Sequence, residues 1–187
     1  MIITSKTKLK DIWKVLPVAE LAKTDILAEC SKFEMPKKIR GIEIMKHSKI
    51  TILQQSWIWD IKETDKLLIA YAEIFFGITK NHEKWLKECP LIDFYRFAHE
   101  VKEQSKRYAD EFTNIRVELS DDEKKAGYGD ADPHGLAGMV ATMADKRGVS
   151  MEVAWNYPIV EYIFVFSRDA AAANKQRAYN KIISEKK

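Results

Sequence analysis

Residues 65–77 read DKLLIAYAEIFFG, and their reading decides the fold. Between Leu67 and Phe76 the only charge is Glu73. A helix that is apolar nearly all round cannot keep a face in water, so this segment is expected at the centre of a core. Thr64 is read as its N-cap, and Gly77 is placed to end it in a left-handed conformation. Just upstream, TILQ at 51–54 has the form of a capping box, in which the Thr51 hydroxyl and the Gln54 side chain each take up a free backbone amide. Leu53, Trp57, Ile58 and Ile61 then supply one apolar face, and residues 51–77 are expected to form the central helical hairpin.

Outward from that hairpin the helical rhythm continues on both sides. Residues 1–36 read as two short helices, with Leu9, Ile12, Trp13 and Leu16 on the first and a break at Pro17. Residues 35–49 lose the rhythm. Pro36, Gly41 and the Ile42/Ile44 alternation suggest a loop with one short strand. Downstream, a short helix in 79–89 precedes a long one opened by Pro90. In the long helix Leu91, Phe94, Ala98, Val101, Ser105, Tyr108 and Phe112 step alternately by three and four, which is a heptad seam that needs a helix along it. Packing within the same chain is the expected solution, since Ser and Ala weaken the case for a coiled coil between chains.

Residues 113–132 are polar and end in the glycine cluster GYGDADPHG, the expected loop or hinge. Asp132 and Pro133 then have the chemistry of a helix start, with Leu136, Met139, Val140, Met143 and Ala144 at helical spacing and a small stripe of Gly135, Gly138 and Thr142 opposite. Gly148 stops that helix, Ser150 caps a brief one through Trp155, and Pro158 opens a last helix that should fray at SEKK. The fold class is therefore mostly α, a compact multi-helix bundle with a glycine-rich polar loop before the C-terminal helices. It is organised as 1–112, 113–132 and 133–187, within one domain overall.

Composition narrows the function classes. An apolar fraction of 46% and a charged fraction of 32% over 187 residues describe a globular chain long enough for a sizeable core. A net charge of +3 is too small for a nucleic-acid footprint, and the basic ends (Lys6 to Lys14, Lys175 to Lys187) are read as solvated termini, so a nucleic-acid partner is not expected. Two cysteines, Cys30 and Cys89, form neither a disulfide framework nor a zinc pair. With no signal segment and a longest apolar run of YIFVF at 162–166, a cytoplasmic protein outside the membrane is expected.

Catalytic and ligand-binding patterns are weak. GYGDADPHG lacks the lysine of a phosphate loop and puts two carboxylates where the anion would sit. The alternation Asp130, Asp132, His134 is more simply a turn and a cap than a metal site, and the other histidines show no ligand spacing. No nucleophile motif is present, and the paired Asp121 and Asp122 lie in a solvated stretch. The expectation is a protein without catalytic residues, metal or cofactor, working through protein contacts.

Two segments resemble the tail assembly chaperones of tailed bacteriophages. The first is KITILQQSWIWDI followed by LLIAYAEIFFG, and the second runs from GLAGMVATMADKRG through VSMEVAWNYPIVEYIFVF to the terminal helix. The resemblance covers under half of the chain. It implies a non-enzymatic helical protein that covers the apolar stripes of the tape-measure protein in the host cytoplasm until the tail tube polymerises, self-association into a homo-oligomer being compatible with that role. The partner surface is placed on Phe94, Val101, Tyr108, Met139, Met143, Trp155, Tyr162, Phe164 and Phe166. The alternative is a structural virion component, a ring, adaptor or connector between portal and tail subunits.

Overall fold

The computed structural model describes Lys8, residues 34–125 and residues 134–185. The helices expected in 1–36, the glycines at 127 and 129 and the Asp132–Pro133 start therefore lie outside the described residues. Within the described residues the chain is mostly α, with eight α-helices and one two-stranded hairpin. The helices are α1 (Ile52–Asp60), α2 (Thr64–Phe76), α3 (His82–Lys87), α4 (Leu91–Asn114), α5 (Asp121–Lys125), α6 (Gly135–Arg147), α7 (Met151–Trp155) and α8 (Ile159–Ser184).

They sort into two compact units. The N-terminal unit takes the described residues before Thr51 together with Gln54–Arg107, and the C-terminal unit takes Thr51–Leu53 with the chain from Tyr108 onward. The division falls inside α4, not in the polar stretch after residue 112.

In the N-terminal unit, α2 is buried along most of its length, with Leu68, Ala70, Tyr71, Ala72, Ile74, Phe75 and Phe76 all in the core. Its N-cap position is Glu63, one residue earlier than read, and carries no side-chain cap bond. Its end is as expected: Gly77 has φ 67° and ψ 22°, and Ile78 N–H returns to Ala72 O at 3.1 Å. Only glycine takes that backbone without steric cost. The loop at 35–49 contains a hairpin, β1 (Lys38–Ile39) against β2 (Ile42–Glu43), antiparallel with Ile39 opposite Ile42. Arg40 (φ 52°) and Gly41 (φ 78°) both have positive φ, the condition for a type I′ turn. Arg40 is an unusual residue there, and its guanidinium is held by Trp85: Nη1 donates to Trp85 O at 3.0 Å, and Cζ lies 6.0 Å from the ring centroid.

The α4 seam is satisfied by its own chain. Leu91, Phe94, Val101, Ser105 and Tyr108 are buried, while Ala98 and Phe112 are half-buried. The serine in the seam has a reason the spacing did not disclose. Gln55 on α1 is fully buried, and its Nε2 donates to Ser105 Oγ at 3.2 Å while Trp59 Nε1 donates to Ser105 O at 3.3 Å. The polar position on α4 thus faces polar partners on α1, as a buried hydroxyl requires. This corrects the expected face of α1: Ile52, Gln55 and Ile58 are buried, and Trp57 is exposed.

In the C-terminal unit the core is built from Ile52, Tyr108, Val140, Met143, Ala144, Ala154, Ile159, Tyr162, Val165 and Ala170. Ile52 N–H, one of the free amides at the start of α1, donates to Tyr157 O at 3.0 Å, and Thr51 bridges Pro158. The α6 cap position falls on His134 with Gly135 at φ 50°, two residues later than the Asp132 cap expected. Gly148 ends α6 at φ 64°, with Val149 N–H on Ala144 O. Ser150 Oγ then accepts Val153 N–H at 3.3 Å to start α7, as its sequence indicated.

Candidate interaction surface

The chemistry-bearing side chains are dispersed. Among the described residues no three His, Cys, Asp or Glu side chains gather as a metal site would need. Asp130 and Asp132, the partners of His134 in the alternation, lie outside the described residues. Cys89 is buried, its Sγ donates to Trp85 O at 3.4 Å, and burial pushes the thiol up to about 12, which keeps it protonated. No described helix is long and apolar enough to cross a membrane.

His47 is the described histidine whose titration its surroundings shift. It packs on Phe75, with ring centroids 5.3 Å apart, and burial lowers its pKa to about 4 against a weaker opposing hydrogen bond with Gln55. The folded pKa lies below the unfolded value of about 6.5, so the unfolded chain takes up the proton first as pH falls. The stability this neutral ring contributes is full above pH 6.5 and is lost between there and about 4. Partial solvent access holds the loss to roughly 1–2 kcal/mol by pH 5. Urea midpoints at pH 7 and pH 5 should therefore fall further apart in the wild type than in His47→Gln. Equal differences would mean that the ring is protonated in the folded chain.

Ion pairs cover much of the described basic surface of the C-terminal unit. Lys146 meets Asp169 at 2.6 Å and Arg147 meets Glu161 at 3.4 Å, fastening the basic end of α6 to α8. Lys146 holds the Asp169 carboxyl below the usual carboxylate range. Farther along α8, Arg177 pairs with Glu123, and Lys181 lies 4.0 Å from Glu185. Arg177, with the Ser120 amide and hydroxyl, holds the Glu123 carboxyl down to about 2.

Of the nine residues placed on a partner surface, five are core. Phe94 and Val101 are sealed in the N-terminal unit, and Tyr108, Met143 and Tyr162 in the C-terminal one, each at most 4% exposed. An apolar side chain at helical spacing is covered by the nearest element that can reach it, which here is the chain itself. Met139, Trp155 and Phe166 are half-buried, Phe166 stacking on Tyr162 at 6.3 Å between centroids. Phe164 alone among the nine stands out, at 67% exposed.

The surface has apolar members the sequence reading did not select. Seven large apolar side chains are exposed among the described residues, and six of them, Met151, Val153, Phe164, Tyr179, Ile182 and Ile183, belong to the C-terminal unit. Tyr179, Ile182 and Ile183 sit at i, i+3 and i+4 on α8 and so share one helix face. The signal was present as spacing, on the helix expected before the SEKK end, and α8 runs to Ser184. What the arrangement can do chemically is bury apolar surface against another chain. No protein-family model, no curated protein and no solved structure matches the chain.

Proposed function

We propose that the chain is a non-enzymatic morphogenesis protein of a tailed bacteriophage, a tail assembly chaperone that covers apolar helical stripes of the tape-measure protein. The observation that carries this reading is the concentration of exposed apolar side chains on the C-terminal unit, with Phe164 and the Tyr179, Ile182 and Ile183 face foremost. Singly exposed apolar residues are ordinary, but a helix face of them is the element that helix-to-helix docking uses. Because Phe94, Val101, Tyr108, Met143 and Tyr162 are buried, the proposed client surface is drawn on α7 and α8 instead.

The test is co-expression with a tape-measure protein, comparing the wild type with Phe164→Asp and Ile182→Asp combined. Both positions are exposed, so helicity should be unchanged while client affinity falls at least about tenfold, or ~1.4 kcal/mol. Undiminished binding would remove the surface from consideration. Quantitative mass spectrometry of purified particles beside the lysate tests the role itself. A chaperone is abundant in the lysate and absent from particles, whereas stoichiometric presence in particles makes the chain a ring, adaptor or connector.

A further inference from the structure

The polar stretch after α4 is fastened to α8 in an unusual way. From Ile115 to Ser120 the side chains alternate, with Ile115, Val117 and Leu119 half-buried and Arg116, Glu118 and Ser120 exposed. That is the pattern of a strand with one face covered, yet among the described residues the segment belongs to no sheet. Asn174 on α8 stands in for the missing neighbour: its Oδ1 accepts Glu118 N–H at 2.7 Å and its Nδ2 donates to Arg116 O at 3.2 Å. A side-chain amide offers the same donor and acceptor as a peptide group, so one asparagine satisfies two backbone positions.

One helical turn later, Arg177 pairs with Glu123. That carboxylate also accepts Ser120 N–H and Oγ–H, each at 2.9 Å, and Ser120 Oγ accepts Glu123 N–H at 3.3 Å. This reciprocal box is what starts α5. No described side chain from Thr113 to Lys125 is fully buried. The start of the segment forms one wall of a cleft of about 410 Å³, through Ile115 and Arg116, and Ile163, Ser167 and Ala170 of α8 form the other.

We infer that residues 115–125 are a releasable strap, clasped to α8 by Asn174 and Arg177, whose release widens the cleft over the Ile163 and Ala170 face. Segments with little buried apolar area and exposed hydrogen bonds open locally, at free energies well below that of global unfolding. The strap meets that description and the helices around it do not: Val140, Met143, Ile159, Tyr162 and Val165 are buried. The inference is independent of the phage reading, since it concerns only how the segment is held.

Hydrogen exchange on the full chain tests it, with wild type, Asn174→Ala, Arg177→Ala, the double variant and Arg177→Lys as the conservative control. In the double variant, exchange across 115–125 should rise about 30-fold, two hydrogen-bonded links of ordinary strength having been removed. Peptides covering Val140–Ala144 and Ile159–Val165 should keep their wild-type protection, and Arg177→Lys should recover part of the effect. Trypsin should cut after Arg116 faster wherever Asn174 is lost, because that carbonyl is its partner. Unchanged exchange in 115–125 overturns the inference. So does acceleration shared equally with α6 and α8, which would mean that the segment opens only when the unit unfolds.

Discussion

Phe97→Ala should destabilise the N-terminal unit by about 3–5 kcal/mol, the range for deleting a fully enclosed aromatic side chain. The expectation follows from where the ring sits. Phe97 has no exposed surface, and its centroid lies 5.9 Å from Tyr71, 5.1 Å from Phe75, 4.9 Å from Phe76 and 5.8 Å from Phe94. Three of those pairs are edge-on and the fourth is tilted, geometries in which ring edges meet ring faces. Removing the ring deprives four others of a neighbour at once, and rings held by α2 and α4 cannot collapse far into the void. Against a typical folding free energy of about 5–15 kcal/mol the loss would leave the unit marginal. Urea denaturation at constant m, with hydrogen exchange read on peptides from Leu68–Phe76, measures it. Trp57→Ala is the contrast: 49% exposed, it should shift the midpoint by no more than about 0.5 kcal/mol. A cost for Phe97→Ala below about 1 kcal/mol would mean the cluster repacks and is not the rigid centre described.

The features legible in the sequence are those set by near neighbours in the chain. The burial of α2 follows from thirteen residues with one interior charge past its first turn, and its end follows from a glycine that takes φ 67°. The Ser150 cap and the Gly148 stop are equally local. The seam on α4 was legible because it repeats for three heptads, long enough for the period to declare itself.

What could not be read depends on partners far away along the chain. Gln55 and Ser105 are fifty residues apart, and each alone looks like a surface residue or a flaw. The nine residues of α1 are apolar on too many sides for spacing to choose between Trp57 and Gln55 as the inward position. The strap was taken for a polar loop because Ile115, Val117 and Leu119 make only three alternations among charges. Burial could not be read for the candidate surface: sequence marks apolarity, and apolarity is the same for a core residue such as Met143 as for an exposed one such as Ile182.

Tyr162 is the corresponding centre of the C-terminal unit, and two substitutions there separate ring from hydroxyl. The side chain has no exposed surface, its hydroxyl donates to Ala154 O at 2.8 Å, and burial pushes the phenol up to about 12. Tyr162→Phe keeps the ring and removes the donor. Ala154 O retains the Tyr157 N–H at 3.0 Å, so no acceptor is left bare and the cost should be about 1 kcal/mol. Tyr162→Ala removes the ring as well, takes the stacking partner from Phe166, and should cost about 3–5 kcal/mol. Hydrogen exchange on peptides from α6 and α8 reports both. If the two variants cost the same, the hydroxyl is what holds α7 to α8, and the ring serves only to carry it. If Tyr162→Phe is near neutral and Tyr162→Ala is severe, packing holds the unit. The second outcome is the expected one, because a net hydrogen bond contributes less than the enclosed area of an aromatic ring.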